Sequence, residues 1–316
     1  MSNTNQADDN LSQEAARLMR QVLDGPIRLE RIPIGVMTQK FAVTDVAGAR
    51  YILRIYPEYR SDVVRYEPDL LRRCRDAGTR VAEVIADSRT GPATSFSYMI
   101  YRMVPGERLT LHLPALTASA KDRLAREIAE QLELMAGITM TGYGDLQDSH
   151  TSKRASWRGF LEDAFRQGIA AVQRLALLPL DLIERLQKVE GCSDSFPVSP
   201  APGLVWSDVS TDNILVDSDG RLMGLIDFES CLAGDPLLCL GYCAALYGRG
   251  GLTQLLTSAW RPPLGLAENA WMDLYAVVRV LRIAPYHANK FLPCGAAFAP
   301  LLQTFTGFEA ALRRLT

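Results

Sequence analysis

The hydrophobic pattern of this chain changes period at Pro105-Gly106, and that change limits the folds open to it. Between Arg28 and Tyr56 the segments RLERIPI, QKFAVTDV and RYILRIY are short and strand-like, and the last two flank an Ala47-Gly48 turn that predicts a hairpin. Asp62 to Ala77 carries Val64, Leu70, Leu71 and Cys74 at helical spacing and stops at Gly78, so one helix interrupts the sheet. Residues 81–87 and 95–104 then resume the strand pattern. Ahead of all this, Asn10 and Gln13 form a capping pair for a short helix reaching Leu23, which the Gly25-Pro26 breaker ends.

Past Pro105-Gly106, residues 119–138, 155–175, 180–189, 235–247, 252–260, 267–289 and 297–314 favour helix. Residues 203–228 are the exception: GLVWSDVSTDNILVDSDGRLMGLIDF alternates around an Asp219-Gly220 turn. The reading is an α+β chain in two lobes. Residues 1–104 form an antiparallel sheet with one main helix, and residues 105–316 form a mostly helical lobe whose strand-bearing insert is where a site is expected.

Composition narrows the function. A formal charge of -2 and a pI near 6.0 do not supply the basic footprint that nucleic acid requires, so nucleic acid is not an expected partner. The six cysteines include no C-x-x-C pair and only three histidines are present, which argues against a zinc cluster. Cys239 and Cys243 share one helical face and read as packing. The polar N-terminus lacks the features of a secretory signal, and no apolar run is long enough to span a bilayer. A cytoplasmic protein with reduced thiols and no membrane partner is expected.

The chemistry-bearing pattern is Asp208-x-x-x-x-Asn213 followed, after the turn, by Ile226-Asp227-Phe228. Phosphoryl transfer needs an acceptor hydroxyl in line, a carboxylate to take its proton and metal ions to neutralise phosphate charge. Asp208 is the candidate base. Asn213 and Asp227 offer hard oxygen ligands suited to magnesium. The spacing alone is a weak signal, and in isolation Asp208 reads as a turn residue and Asp227 as a strand-end cap.

The order of the segments is more specific. Trp206-Ser207-Asp208-Val-Ser-Thr-Asp-Asn213-Ile-Leu-Val216, Ile226-Asp227-Phe228-Glu229 and Gly234-Asp235-Pro236 resemble, in sequence order, the catalytic segments of the aminoglycoside phosphotransferase and choline kinase families, which share a bilobal protein-kinase-like fold. Trp206 and Ser207 depart from the usual His-Gly, Cys239 stands where an aspartate commonly follows, and the RRLT terminus lacks an acidic ending. The resemblance implies that Arg54, in YILRIY, meets the phosphates of ATP or GTP and that Glu67 pairs with it. It further implies that Thr38, in the loop from Gly35, covers the phosphates. The backbone of Tyr101, Arg102, Met103 and Val104 would receive adenine.

Glu229 is a candidate contact for a cationic substrate or a cap for the following turn, and Asp235 is read as ordering the catalytic loop. Trp157, Trp260 and Trp271 read as core anchors. Asp145, Asp148, Glu162 and Asp163 read as a solvated face, with lining of the acceptor pocket as the alternative. Residues 1–104 carry two more basic than acidic side chains, and residues 105–316 carry four more acidic than basic, a sign that suits a cationic acceptor.

The expected activity is magnesium- and ATP-dependent phosphorylation of a small-molecule hydroxyl, of antibiotic-modifying type, by a monomer or weak dimer. Choline, ethanolamine or a sugar as acceptor is the alternative, as is a catalytically silent nucleotide-binding module. Gly234-Asp235-Pro236 follows Asp227 too closely for the activation segment of a protein kinase.

Overall fold

The computed structural model describes residues 2–33, 38–198, 201–290 and 305–316, which form two compact units. The first comprises Met1–Pro105 and Gly224–Glu229; the second comprises Gly106–Met223 and Ser230–Thr316. Gly224–Glu229 lie in the first unit although they fall beyond the boundary expected after residue 104. Leu225 donates its amide to the Arg80 carbonyl at 2.9 Å and bridges Val81, so hydrogen bonding ties that segment to the first unit.

In the first unit, α1 (Ser2–Leu23) precedes strands β1 (Ile27–Ile32), β2 (Gln39–Asp45) and β3 (Arg50–Tyr56). Helix α2 (Glu67–Asp76) and strands β4 (Val84–Asp87) and β5 (Ser97–Arg102) follow. The sheet order is β1-β2-β3-β5-β4, every neighbour antiparallel. Its core forms where Ala15, Leu18 and Met19 of α1 meet Phe41, Val43, Leu53, Ile55, Tyr98 and Ile100. The strand residues in that set alternate along their strands, which is how a two-residue period buries one sheet face.

Two expectations change here. Helix α1 begins at Ser2 rather than Asn10, because the polar stretch before Asn10 contains neither glycine nor proline to stop it. The helix expected over residues 62–77 is a 3-10 turn at Val63–Arg65 followed by α2. Pro68 explains the break: in a continuous helix its ring would meet the Val64 carbonyl, whereas in the first turn of α2 it is tolerated.

The second unit opens with β6 (Glu107–Arg108), α3 (Leu109–His112), α4 (Ala118–Ala136), β7 (Tyr143–Leu146), β8 (Ser152–Arg154), α5 (Trp157–Arg174) and α6 (Leu180–Glu190). Strands β9 (Gly203–Val205), β10 (Ile214–Val216), β11 (Leu222–Leu225, whose end enters the first unit) and β12 (Leu232–Gly234) make up the insert. Helices α7 (Leu238–Tyr247), α8 (Gly251–Ala259), α9 (Leu266–Lys290) and α10 (Phe308–Leu315) complete it. The remainder of the helix expected over residues 297–314 lies largely outside the described residues.

Thr117 caps α4 by accepting from the Ala120 amide at 3.2 Å, and Ser156 caps α5 by accepting from Gly159 at 3.1 Å. Helix α7 is apolar on every side and buried from Leu238 to Ala245, so it is a central helix. Gly241 lets α7 approach α9 closely: a Cβ there would lie 2.3 Å from the Tyr275 Cβ. This close packing sets the position of α9, which carries a residue of the site. Trp157 is fully buried, as expected, whereas Trp260 and Trp271 are only partly buried and line separate surface cavities.

Candidate active site

Arg54 is the hub of the first unit's polar cluster. It sits on central strand β3 and is 2% exposed. Its Nε donates to Thr38 Oγ1 at 3.1 Å, Nη1 to Glu67 Oε1 at 2.9 Å, and Nη2 to both Asp227 Oδ1 at 3.1 Å and Glu229 Oε2. Glu67, 1% exposed at the start of α2, also accepts from Tyr56 Oη at 2.6 Å. The structure therefore brings Arg54, Glu67, Thr38, Asp227 and Glu229 together.

Burial works against the charge on Arg54, but Glu67, Asp227 and Glu229 outweigh it and raise its pKa above the usual arginine value. Burial likewise opposes ionisation of Asp227, yet Arg54 and Lys40 hold its carboxyl below the ordinary range. Asp227 adopts φ +67°, a left-handed conformation uncommon outside glycine, and conformations of this kind concentrate at functional sites. Burial, aided by the Asp227 and Glu67 carboxylates, pushes Glu229 up to about 7 against the pull of Arg54 and Arg60. Arg60 lies 3.1 Å from the same Glu229 oxygen. With its carboxylate committed to two arginines, Glu229 is an organiser of this cluster rather than a free contact for a cationic substrate.

Lys40 faces Arg54 across the β2–β3 ladder. Burial, then the neighbouring Arg54, lowers its pKa, while Asp227, Glu229 and Glu67 act in the opposite direction. Among the described residues no carboxylate comes within ion-pair distance of it. Sequence reading placed Lys40 in the phosphate-covering loop without giving it a role; its register opposite Arg54 was the available signal. Gly35 of that loop lies outside the described residues.

The segment Tyr101–Val104 closes the edge of β5. Arg102 donates its amide to Glu83 O at 2.8 Å and Met103 donates to Arg50 O at 2.9 Å, so those two N–H groups are engaged within the protein. Tyr101 lines a ≈ 20 Å³ cavity together with Arg54, Glu67, Met99 and Asp227.

In the second unit, the loop between β9 and β10 holds Asp208 and Asn213. Asn213 Nδ2 donates to the Asp208 backbone oxygen at 3.0 Å and to Oδ2 at 2.8 Å. Arg279, on α9, donates Nη2 to Asp208 Oδ1 at 2.9 Å. Both carboxylate oxygens are thus oriented, one from the loop and one from a distant helix. Arg279 was missed from sequence, because an arginine 71 residues downstream on a helix carries no local spacing signal.

The departures from the family pattern have local partners. Ser207 Oγ donates to the Ser230 carbonyl, and Cys239 Sγ donates to the Trp206 carbonyl at 3.2 Å. Asp235 accepts from the Leu237 amide at 2.9 Å and from Tyr275 Oη at 2.6 Å, which anchors the segment after β12. Of the expected solvated carboxylates, Asp145 pairs with Arg282, Asp163 with Arg154 and Arg166, and Asp148 caps its own turn through the His150 and Thr151 amides.

Among the described residues no three histidine, cysteine, aspartate or glutamate side chains form a metal-holding cluster. Magnesium does not require one, because it is held by one or two carboxylates together with substrate phosphates and water. The Asn213 amide turns its nitrogen toward Asp208, leaving its Oδ1 with no hydrogen bond among the described residues. Asp227 in the first unit offers a partly exposed carboxylate and Asn213 in the second an amide oxygen, each a donor of the right hardness for that ion.

No curated protein matches the chain. Among solved structures, aminoglycoside phosphotransferase APH(4)-Ia, as a thermostable mutant in ternary complex with AMP-PNP and hygromycin B, is 19% identical with a TM-score of 0.68 over 90% of this chain and 93% of its own. A GDP complex of aminoglycoside 2'-phosphotransferase-IIIa is 18% identical, with a TM-score of 0.67 over 94% of both chains. A putative fructosamine-3-kinase from Haemophilus somnus 129PT is 13% identical, with a TM-score of 0.63 over 95% of this chain and 96% of its own. These similarities show a shared protein-kinase-like fold. The sequence model of the phosphotransferase enzyme family matches residues 28–275. The chain therefore belongs to the phosphotransferase enzyme family, as an enzyme that phosphorylates a hydroxyl acceptor.

Proposed function

We propose that the chain is a magnesium- and ATP-dependent kinase of a small-molecule hydroxyl. The observation that carries this reading is Arg54, a buried guanidinium bonded at once to Glu67 on α2 and to Asp227 in the I-D-F-E segment. That arrangement supports reading Arg54 as the cation that meets phosphate. In this reading Arg54 and Lys40 draw the triphosphate, Thr38 covers it, and Tyr101–Val104 receive the base. Asn213 and Asp227 are the magnesium ligands. Bound magnesium neutralises negative charge on the phosphates.

Asp208 takes the proton of the acceptor hydroxyl as its oxygen bonds to the γ-phosphorus; the bond from that phosphorus to the β–γ bridging oxygen breaks and ADP leaves. Neighbours complexed with hygromycin B and with streptomycin make aminoglycosides candidate acceptors.

The test is ADP release with ATP or GTP across hygromycin B, streptomycin, choline, ethanolamine, sugars and small hydroxy acids, in wild type and Asp208→Ala. Wild type is expected to turn over at least one acceptor, and the variant to lose about a hundredfold or more in kcat while still binding nucleotide. Turnover unaffected by Asp208→Ala would refute the base assignment, and nucleotide binding with no turnover would favour a silent nucleotide-binding module.

A further inference from the structure

Asp208 shares its site with a cation that has few other obligations. Arg279 Nη2 binds Asp208 Oδ1, and the guanidinium lies over the Tyr242 ring, 5.0 Å from its centroid. No second carboxylate or carbonyl accepts from Arg279 among the described residues, and its Nε is buried without a hydrogen-bond partner. A guanidinium offers five N–H donors in one plane, and among the described residues only one of them is used. Side-chain exposures of 16% for Arg279 and 30% for Asp208 keep the pair reachable from solvent.

One turn along α9, Arg282 donates Nη1 to Tyr242 Oη at 3.0 Å, pairs with Asp145 and lies over the Phe160 ring. It lines a cavity of ≈ 280 Å³ together with Asp145, Phe160 and Asp163. Asp208, Arg279, Tyr242, Arg282 and Asp145 therefore form one continuous row. Every carboxylate in the row and cavity already faces an arginine: Asp208 with Arg279, Asp145 with Arg282, and Asp163 with Arg154 at 2.7 Å. A polycation arriving here would have to displace an arginine from its carboxylate and would be repelled by the charge released. An anion meets a guanidinium with unused donors, and forked donors suit the two oxygens of a carboxylate or phosphate.

We propose that Arg279 is the anion-recognising residue of the acceptor site, and that the acceptor is a small hydroxylated compound with a carboxylate or phosphate within a few bonds of the hydroxyl it presents to Asp208. This rests on the reading of the chain as a hydroxyl kinase. The anion takes the free donors of Arg279 and the hydroxyl remains at Asp208; the bonds made and broken are those of the phosphoryl transfer from ATP already written.

The experiment is ADP release with Mg-ATP using matched probes: D-glycerate against glyceramide, pantothenate against pantothenol, gluconate against glucose, and glycerol 3-phosphate against glycerol, with hygromycin B as the polycation. Wild type should favour the anionic member of at least one pair by roughly tenfold to a hundredfold in kcat/KM, the range expected for one charge-assisted contact. Arg279→Gln should collapse that ratio toward one, chiefly by raising KM for the anion, and Arg279→Lys should restore part of it. Because both members of a pair are compared within one variant, a mispositioned base or a partly folded protein lowers both and leaves the ratio unchanged. A wild-type ratio of one throughout, preference for hygromycin B, or a ratio that survives Arg279→Gln overturns this proposal and leaves the kinase reading standing. Absence of ADP release with every probe, while Mg-ATP still binds calorimetrically, overturns both.

Discussion

Replacing Arg54 with methionine should cost far more stability than replacing Glu67 with glutamine, although both changes break the same ion pair. Arg54 makes four hydrogen bonds, three of them to carboxylates, and methionine fills a similar volume while leaving Glu67, Asp227 and Glu229 facing one another. Stranding one buried partner typically costs about 3–5 kcal/mol, so with three carboxylates and, among the described residues, Lys40 and Arg60 as the remaining cations acting on Asp227, the upper end is expected, about 5 kcal/mol. Glutamine at position 67 still accepts from Arg54 and from Tyr56, and Arg54 keeps two carboxylates; exchanging charged for neutral hydrogen bonds costs about 1–2 kcal/mol. All four tryptophans lie outside the first unit, so their fluorescence does not report on this change. Hydrogen exchange at the paired amides of β2 and β3 reads it directly. Arg54→Met should speed exchange there far more than Glu67→Gln, and the deficit should shrink below about pH 5 as carboxylates protonate. Equal effects, or protection unchanged in Arg54→Met, would refute the view of Arg54 as the charge that holds this cluster together.

Glu229 gives a pH signature of definite sign. Its carboxyl is pushed from the ordinary glutamate value of 4.5 to about 7 by burial, so between those values the folded protein keeps a proton that the unfolded chain has lost. The stabilising contribution is complete below about pH 4.5 and is lost as pH rises through about 7. Wild type measured against Glu229→Gln by thermal unfolding should therefore lose ground across that interval and run parallel above it; a gap that grows in wild type's favour with rising pH would reverse the assignment. Lys40→Met should raise KM for ATP by about tenfold, the value of one lost charge contact, with little change in protection of β2 and β3; an unchanged KM in steady-state assays would remove Lys40 from the phosphate site.

The switch at Pro105-Gly106 was legible because hydrophobic period is a local property, and both the strand-rich and the helical regions follow from it. The hairpin of β2 and β3 and the insert around Asp219-Gly220 were legible for the same reason. Asp208, Asn213 and Asp227 were found through residue order, and Arg54 with Glu67 through family resemblance. Pairings made by remote helices were not legible. Nothing near Arg279 or Arg282 in sequence distinguishes them from other helical arginines; they gain meaning only when α9 packs against α7 at Gly241, which brings the Tyr242 ring beneath the Arg279 guanidinium and the Tyr242 hydroxyl to Arg282 Nη1. The assignment of Gly224–Glu229 to the first unit was hidden likewise, since it depends on the hydrogen bond from Leu225 to Arg80.

The unusual Trp206-Ser207 pair and Cys239 become coherent as one arrangement. Where the family pattern places His-Gly ahead of the base, this chain buries Trp206 completely, binds its carbonyl with the Cys239 thiol and secures Ser207 to the Ser230 carbonyl. The backbone leading into Asp208 is thereby held by neutral groups, which fix its path without adding charge beside the carboxylate. The charge that addresses Asp208 comes instead from Arg279, and its direction is set by the ring of Tyr242 on α7. Since α7 also carries Cys239, a single buried helix supports both the backbone before Asp208 and the guanidinium in front of it. On the roles proposed for Asp208 and Arg279, a displacement of α7 would disturb proton acceptance and acceptor recognition together, which is why the ratio between matched acceptors, rather than turnover alone, separates the two roles.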